Sequence, residues 1–207
     1  GHTGFWDFKL RVDKRVLIPR PETELIVEKA LELGQRLVSK DVKVVDLGTG
    51  SGAIAIALAR SNPGWHITAV DISEGALQLA QLNAQEQQAN NIEFSLASWC
   101  DGLAANQYDM IAANPPYVQL GDNHLEKGVL LFEPKIALIT DSAGLGSLRR
   151  IICQSKRVLK KDAWLLLEHG FNQQASLKAL LLKEGFDSVL GYKDYAGNDR
   201  MVCAHWS

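Results

Sequence analysis

Apolar and polar positions along the chain fall into blocks whose period switches repeatedly between strand-like and helix-like, a pattern that predicts an α/β fold. Residues 42–47, 66–71, 92–96, 108–113 and 164–168 are short apolar runs suited to buried strands. Helical spacing follows at 53–59, at about 74–89, at 148–159 and at 174–182, and two further strands close the chain. An earlier helix starts at Pro21, with Glu22 and Glu24 in its first turn; Leu25, Ile26, Ala30, Leu31 and Leu33 supply its apolar face, and Gly34 weakens or ends it. Before that helix, residues 5–12 alternate in strand fashion and Asp13-Lys14 turns the chain back towards residues 16–18, which predicts a β-hairpin ahead of the core. Strands and helices in this order make a doubly wound sheet.

Composition narrows the picture. A chain of 207 residues, 46% hydrophobic, is long enough for one well-buried α/β domain and short for two. The expected division is a hairpin over residues 1–20 and a core over 21–207. A net charge of −2 provides no electrostatic footprint for a nucleic-acid backbone, so direct nucleic-acid binding is not expected. Cys100, Cys153 and Cys203 are widely spaced and odd in number, which makes neither a disulfide framework nor a zinc site and suits a reducing cytoplasm. No membrane span or signal pattern is evident.

Candidate chemistry begins at Gly48-Thr49-Gly50-Ser51-Gly52, between the strand ending at Leu47 and the small-residue helix from Ala53. Glycines there permit positive φ and close backbone approach to a nucleotide-like ligand. Asp71 ends the next strand, at a spacing close to that used for gripping ribose hydroxyls. A dinucleotide site is one reading, since Gly48, Gly50 and Ala53 fit the loose G-x-G-x-x-[GA] pattern. Asp46 and the position of Gly52 argue against it: a pyrophosphate prefers amides without a carboxylate nearby, whereas the ammonium of an amino-acid-bearing cofactor gains from an acid beside the loop. Asp46 as a plain loop brace is the competing reading.

Asn114-Pro115-Pro116-Tyr117 follows the strand at 108–113, and its two prolines stiffen the loop. The Asn114 side chain and the Pro115 backbone each present a carbonyl, two acceptors that match the two protons of a planar NH2 group. Tyr117 adds an aromatic face to the substrate pocket, beside which a sulfonium is also favoured, and Pro116 shapes its wall. The pattern points to methyl transfer to nitrogen; a proline-rich turn that merely stops a strand is the bland reading.

The run Val16-Leu17-Ile18-Pro19-Arg20-Pro21-Glu22-Thr23-Glu24, then Asp46 to Gly52, then Asn114 to Tyr117, then Leu166-Leu167-Glu168-His169-Gly170, resembles the release-factor glutamine N5-methyltransferases of the HemK/PrmC family over nearly the whole chain. The resemblance implies a class I S-adenosylmethionine-dependent methyltransferase fold, Rossmann-like, with a mostly parallel seven-stranded sheet between helices and a hairpin before it. It implies methylation of the side-chain amide of the glutamine in the GGQ motif of class 1 peptide chain release factors, with S-adenosylmethionine as cofactor, S-adenosylhomocysteine as product and no metal. Carried over by position, Asp46 and Gly48, Thr49, Gly50, Ser51 and Gly52 hold the methionine end, Asp71 the ribose, and Trp99 and Asn114 complete the cofactor site. Asn114, Pro115 and Tyr117 are the catalytic set, and with Pro116 they form the substrate site. Ser98 departs from the family, which more often has an acid there for the adenine amino group, and Leu131 stands where arginine is expected. The family's N-terminal helical substrate-binding domain is expected to be absent from this chain. His169 is expected to brace a loop, His124 to lie on the surface, Arg20 and Glu22 to lock or guide the entrance loop, and Asn198 and Arg200 to resemble a family turn. A ribosomal-protein glutamine methyltransferase, an adenine or guanine amino-methyltransferase of nucleic acid, and an inactive cofactor-binding module are the alternatives.

Overall fold

The computed structural model describes residues 1–37, 41–119, 134, 139–140 and 144–207. Leu131 and His124 lie outside them. The centre is a seven-stranded sheet of β3 (Lys43–Leu47), β4 (His66–Asp71), β5 (Ile92–Leu96), β6 (Tyr108–Ala113), β9 (Leu159–Glu168), β10 (Asp187–Lys193) and β11 (Asp199–Trp206). Its spatial order is β10-β11-β9-β6-β3-β4-β5. In this sheet β11 runs opposite to the other six strands. Two short strands, β7 (Val118–Gln119) and β8 (Ile139–Thr140), pair with each other outside this sheet.

Alternation along the strands sorts the core into two layers. Val44, Met110 and Leu166 join one cluster with α1 (Glu24–Arg36) and α2 (Ala53–Ser61). Val45, Ile111, Leu165 and Leu167 join the other with α4 (Gly146–Val158) and α5 (Gln174–Lys183). The fold is therefore a class I methyltransferase-type α/β sandwich, as expected from the sequence. Among the described residues no helix is long and apolar enough to cross a membrane.

The hairpin exists, but its turn lies earlier than the alternation predicts. β1 (His2–Phe5) and β2 (Phe8–Arg11) pair antiparallel with Phe5 opposite Phe8, and Trp6 takes the left-handed turn conformation at φ 55°. Asp13 makes only a local turn: its carboxylate accepts the Arg15 amide at 3.0 Å and its carbonyl accepts the Val16 amide at 3.2 Å. Val16 is not a returning strand; it buries against Val12 and against Ala76 and Leu79 of α3 (Glu74–Glu86). Gly34 likewise does not end α1. It sits inside the helix, where a Cβ would lie 2.2 Å from the Trp65 ring, so glycine there admits the ring rather than breaking the helix.

One buried side chain ties these parts together. Asn83 of α3 accepts the Arg11 amide at 2.8 Å and donates to the carbonyls of Arg11 at 3.1 Å and Ser51 at 2.8 Å. The hairpin, α3 and the glycine turn are thus held as one unit, with the segment after the hairpin laid over the carboxyl ends of the strands.

Candidate functional site

The chain runs from β3 to β4 and β5 on one side, then crosses back to β6 on the other. Open α/β sheets leave a crevice at the carboxyl ends of strands where the order reverses in this way. Here Gly48 follows β3, Asp71 ends β4, Asn114 follows β6 and Glu168 ends β9, four positions on four adjacent strands. A cleft of about 300 Å³ opens there, at the lower end of the range typical of small-molecule sites. Gly48, Thr49, Gly50 and Ser51 of the turn line it together with Asp71, Ser98, Trp99, Asn114 and Pro116.

The glycine turn is drawn in by its own hydrogen bonds. Gly48, Gly50 and Gly52 all have positive φ, and a Cβ at Gly52 would come 3.0 Å from Ile56 and 3.2 Å from Ala80. The amides of Gly48 and Thr49 donate to the Val70 carbonyl, that of Gly52 to the Thr49 carbonyl, and that of Gly50 to Asp71 Oδ2 at 2.9 Å. With those four donors committed, the turn has little left for a pyrophosphate, which argues against the dinucleotide reading. The Trp99 ring packs over Gly48, 3.4 Å from where a Cβ would stand, and Trp99 itself is left-handed at φ 53°.

Asp46 shares the α2 side of β3 with Val44, and it sits beneath the turn rather than on the cleft wall. Its Oδ2 accepts the Thr49 hydroxyl at 2.6 Å and the Ala55 amide at 3.2 Å, while Oδ1 is buried without a partner. This geometry is that of a brace between the turn and the start of α2. Asp71 is different: it lines the cleft, and its Oδ1 also accepts the Ser73 amide at 2.9 Å.

Asn114 and Pro116 reach the cleft, whereas Pro115 is buried and Tyr117 stands behind the wall. Asn114 Nδ2 donates to Thr23 Oγ1 at 3.0 Å, the Thr23 hydroxyl donates to Glu168 Oε2 at 2.8 Å, and Tyr117 Oη donates to Glu168 Oε1 at 3.1 Å. The Tyr117 carbonyl accepts from Gln173 at 3.1 Å, which pins the far end of the loop. Thr23 and Glu168 join the site only through these bonds; in the sequence each is one member of a family-like run. An acid at the end of a strand as apolar as 164–167 is the signal that marks Glu168.

Burial pushes Glu168 up to about 7, against the Thr23 hydrogen bond and the charge of Arg200. Arg200 is held by an ion pair to Asp194 at 3.1 Å, and Asp194 also accepts the Asn198 amide at 2.9 Å, so the predicted turn residues form a scaffold beside the loop. His169 is fully buried, donates from Nδ1 to the Gly170 carbonyl at 2.9 Å and is pushed down by burial, consistent with a neutral brace. Burial likewise pushes Asp46 up to about 7.

Both raised carboxyls bind a proton more readily folded than unfolded. Their stabilising contribution is complete below the unfolded values near 4 and is lost as pH rises towards about 7, at up to about 1.4 kcal/mol per pH unit for each. His169 opposes this with a single group, because its lowered value makes stability rise with pH up to about 6.5. Denaturant midpoints should therefore be higher at pH 5 than at pH 8, and Glu168→Gln should flatten the difference.

The methyltransferase small domain family model matches residues 23–134, which takes in the turn and the loop. The release factor glutamine methyltransferase of Pseudomonas aeruginosa is 44% identical over all of this chain, which spans 74% of that protein. This chain belongs to the release factor glutamine methyltransferase family. Among solved structures, the release-factor-specific protein-(glutamine-N5) methyltransferase of Alicyclobacillus acidocaldarius is 27% identical with a TM-score of 0.56, covering 96% of this chain and 99% of that one. The N-terminal domain of human METTL16 in complex with S-adenosylhomocysteine shares the fold at 20% identity and a TM-score of 0.69, covering 95% of this chain and 75% of that one. For this methyltransferase family member, then, the cleft, the glycine turn and the Asn114 loop occur together on one fold.

Proposed function

We propose that this chain transfers a methyl group from S-adenosylmethionine to the side-chain amide nitrogen (N5) of the glutamine in the GGQ motif of class 1 peptide chain release factors. The observation that carries this reading is the committed Asn114 amide: with Nδ2 given to Thr23, the carbonyl is the edge left to accept from an NH2 group at the cleft. Family membership supplies the substrate.

The cleft fits the cofactor. Gly48 to Ser51 would take the methionine end, Asp71 the ribose, and Ser98 and Trp99 the adenine side. Asp46 and Gly52 support this arrangement from below, by bracing the turn and by admitting Ile56 and Ala80. When bound, S-adenosylmethionine supplies an electrophilic methyl group. The chain's own work is orientation: a glutamine amide is a poor nucleophile because its lone pair is delocalised. Asn114 Oδ1 and the Pro115 carbonyl accept its two protons, favour pyramidal nitrogen and aim the lone pair, while Pro116 shapes the wall. Tyr117 closes the loop from behind through Glu168. No metal enters this scheme, and the amide proton leaves after transfer.

Residues 1–207 act on this reading as one catalytic domain, hairpin included, in the cytoplasm and without direct contact to nucleic acid. Radiolabelled cofactor offered together with a folded, unmodified release factor and with adenine-containing DNA and RNA tests it: label in the protein alone is expected, and label in nucleic acid would favour the amino-methyltransferase alternative. Ser98 supplies a narrower check. Ser98→Asp restores a charge-assisted acceptor for the adenine amino group, worth about 1 kcal/mol, so the cofactor Kd should tighten about fivefold by calorimetry.

A further inference from the structure

We propose that Thr23 and Glu168 are positioning residues for Asn114, the carboxylate fixing the Thr23 hydroxyl and that hydroxyl fixing which edge of the Asn114 amide faces the cleft. The inference rests on the reading that the Asn114 carbonyl accepts from the substrate amide. Above about pH 7, where Glu168 is ionised, its carboxylate only accepts, and Glu168 Oε2 takes the single proton of Thr23 at 2.8 Å. Thr23 Oγ1 is left with lone pairs alone. The Asn114 atom 3.0 Å away must then be the NH2, and the carbonyl turns to the other side.

Without that instruction the two amide orientations, nearly identical in shape, compete, and the flipped one sets a donor against the substrate's own NH2. Water is a poor substitute, because Thr23 is 3% exposed and Glu168 1%. The second oxygen of Glu168 accepts from Tyr117 Oη, so one buried carboxylate fixes both ends of the loop. Burial and the charge of Glu22 oppose the ionised acceptor form, while the hydrogen bonds from Thr23 and Tyr117 and the charge of Arg200 favour it.

The test is a double-mutant cycle in the whole chain, with kcat measured on a release factor and cofactor Kd measured separately. Thr23→Val keeps the shape and removes the acceptor; it should lower kcat about 10-fold to 100-fold with cofactor Kd unchanged within about twofold. Thr23→Ser keeps the hydroxyl and should recover most of the turnover. Because Thr23 acts through Asn114, Thr23→Val combined with Asn114→Ala should be no slower than Asn114→Ala alone. Thr23→Ala carries the same comparison if valine crowds the site. A slow Asn114→Ala enzyme beside an unaffected Thr23→Val enzyme, or two losses that multiply, would overturn the positioning role alone. Full turnover by Asn114→Ala would remove the underlying reading and this inference with it.

Discussion

Asn114→Ala lowers the rate of methyl transfer by about 10²-fold to 10³-fold and leaves cofactor affinity within about twofold of the parent. The size is that expected when one preorganised hydrogen-bonding group aimed at a reacting centre is removed. The selectivity follows from where the side chain is anchored. Asn114 is held by Thr23 and not by any residue of the glycine turn, while the turn carries its own bonds to Val70 and Asp71. Removing the amide therefore deletes an acceptor at the substrate side and leaves the hydrogen bonds of the glycine turn intact. Single-turnover rates and calorimetric cofactor Kd values separate the two quantities, and equal losses in both would make the loop mainly structural.

Asp71→Ala has the opposite signature. Its two oxygens accept the amides of Gly50 and Ser73, each at 2.9 Å, and the carboxylate also faces the cleft. Truncation loses at least one charge-assisted bond that holds the turn together with the proposed grip on ribose hydroxyls, about 3 kcal/mol in all, so cofactor Kd should weaken about 10²-fold. At saturating cofactor the turnover should recover substantially, because the Asn114 side of the cleft is untouched. Asp71→Asn keeps one acceptor oxygen and should fall between the two. Cofactor affinity unchanged in Asp71→Ala would move the ribose elsewhere in the cleft.

The parts of the fold that were legible in the sequence are those set by local pattern. β5 at 92–96 and β6 at 108–113 follow from short apolar runs, and the turn at Gly48 to Gly52 from its glycines. What local pattern conceals depends on partners distant in sequence. Alternation over residues 5–12 points to a hairpin turn at Asp13-Lys14, yet Trp6 adopts positive φ and Val16 is claimed by α3. Gly34 looked like a helix breaker because the Trp65 ring it admits lies thirty-one positions away. Thr23 and Glu168 meet across 145 positions, and neither residue type announces the other. Asp46 fits either a cofactor contact or a brace by its place before the turn, and its bonds to Thr49 and Ala55 are those of a brace.

Peptide mass spectrometry of a class 1 release factor, initially unmodified and incubated with this chain and S-adenosylmethionine, bears most directly on the proposed reaction. One added methyl on the GGQ glutamine, absent when Asn114→Ala replaces the parent chain, is the expected result. A folded, cofactor-binding chain that leaves that glutamine unmodified, or places the methyl on another residue, would contradict it.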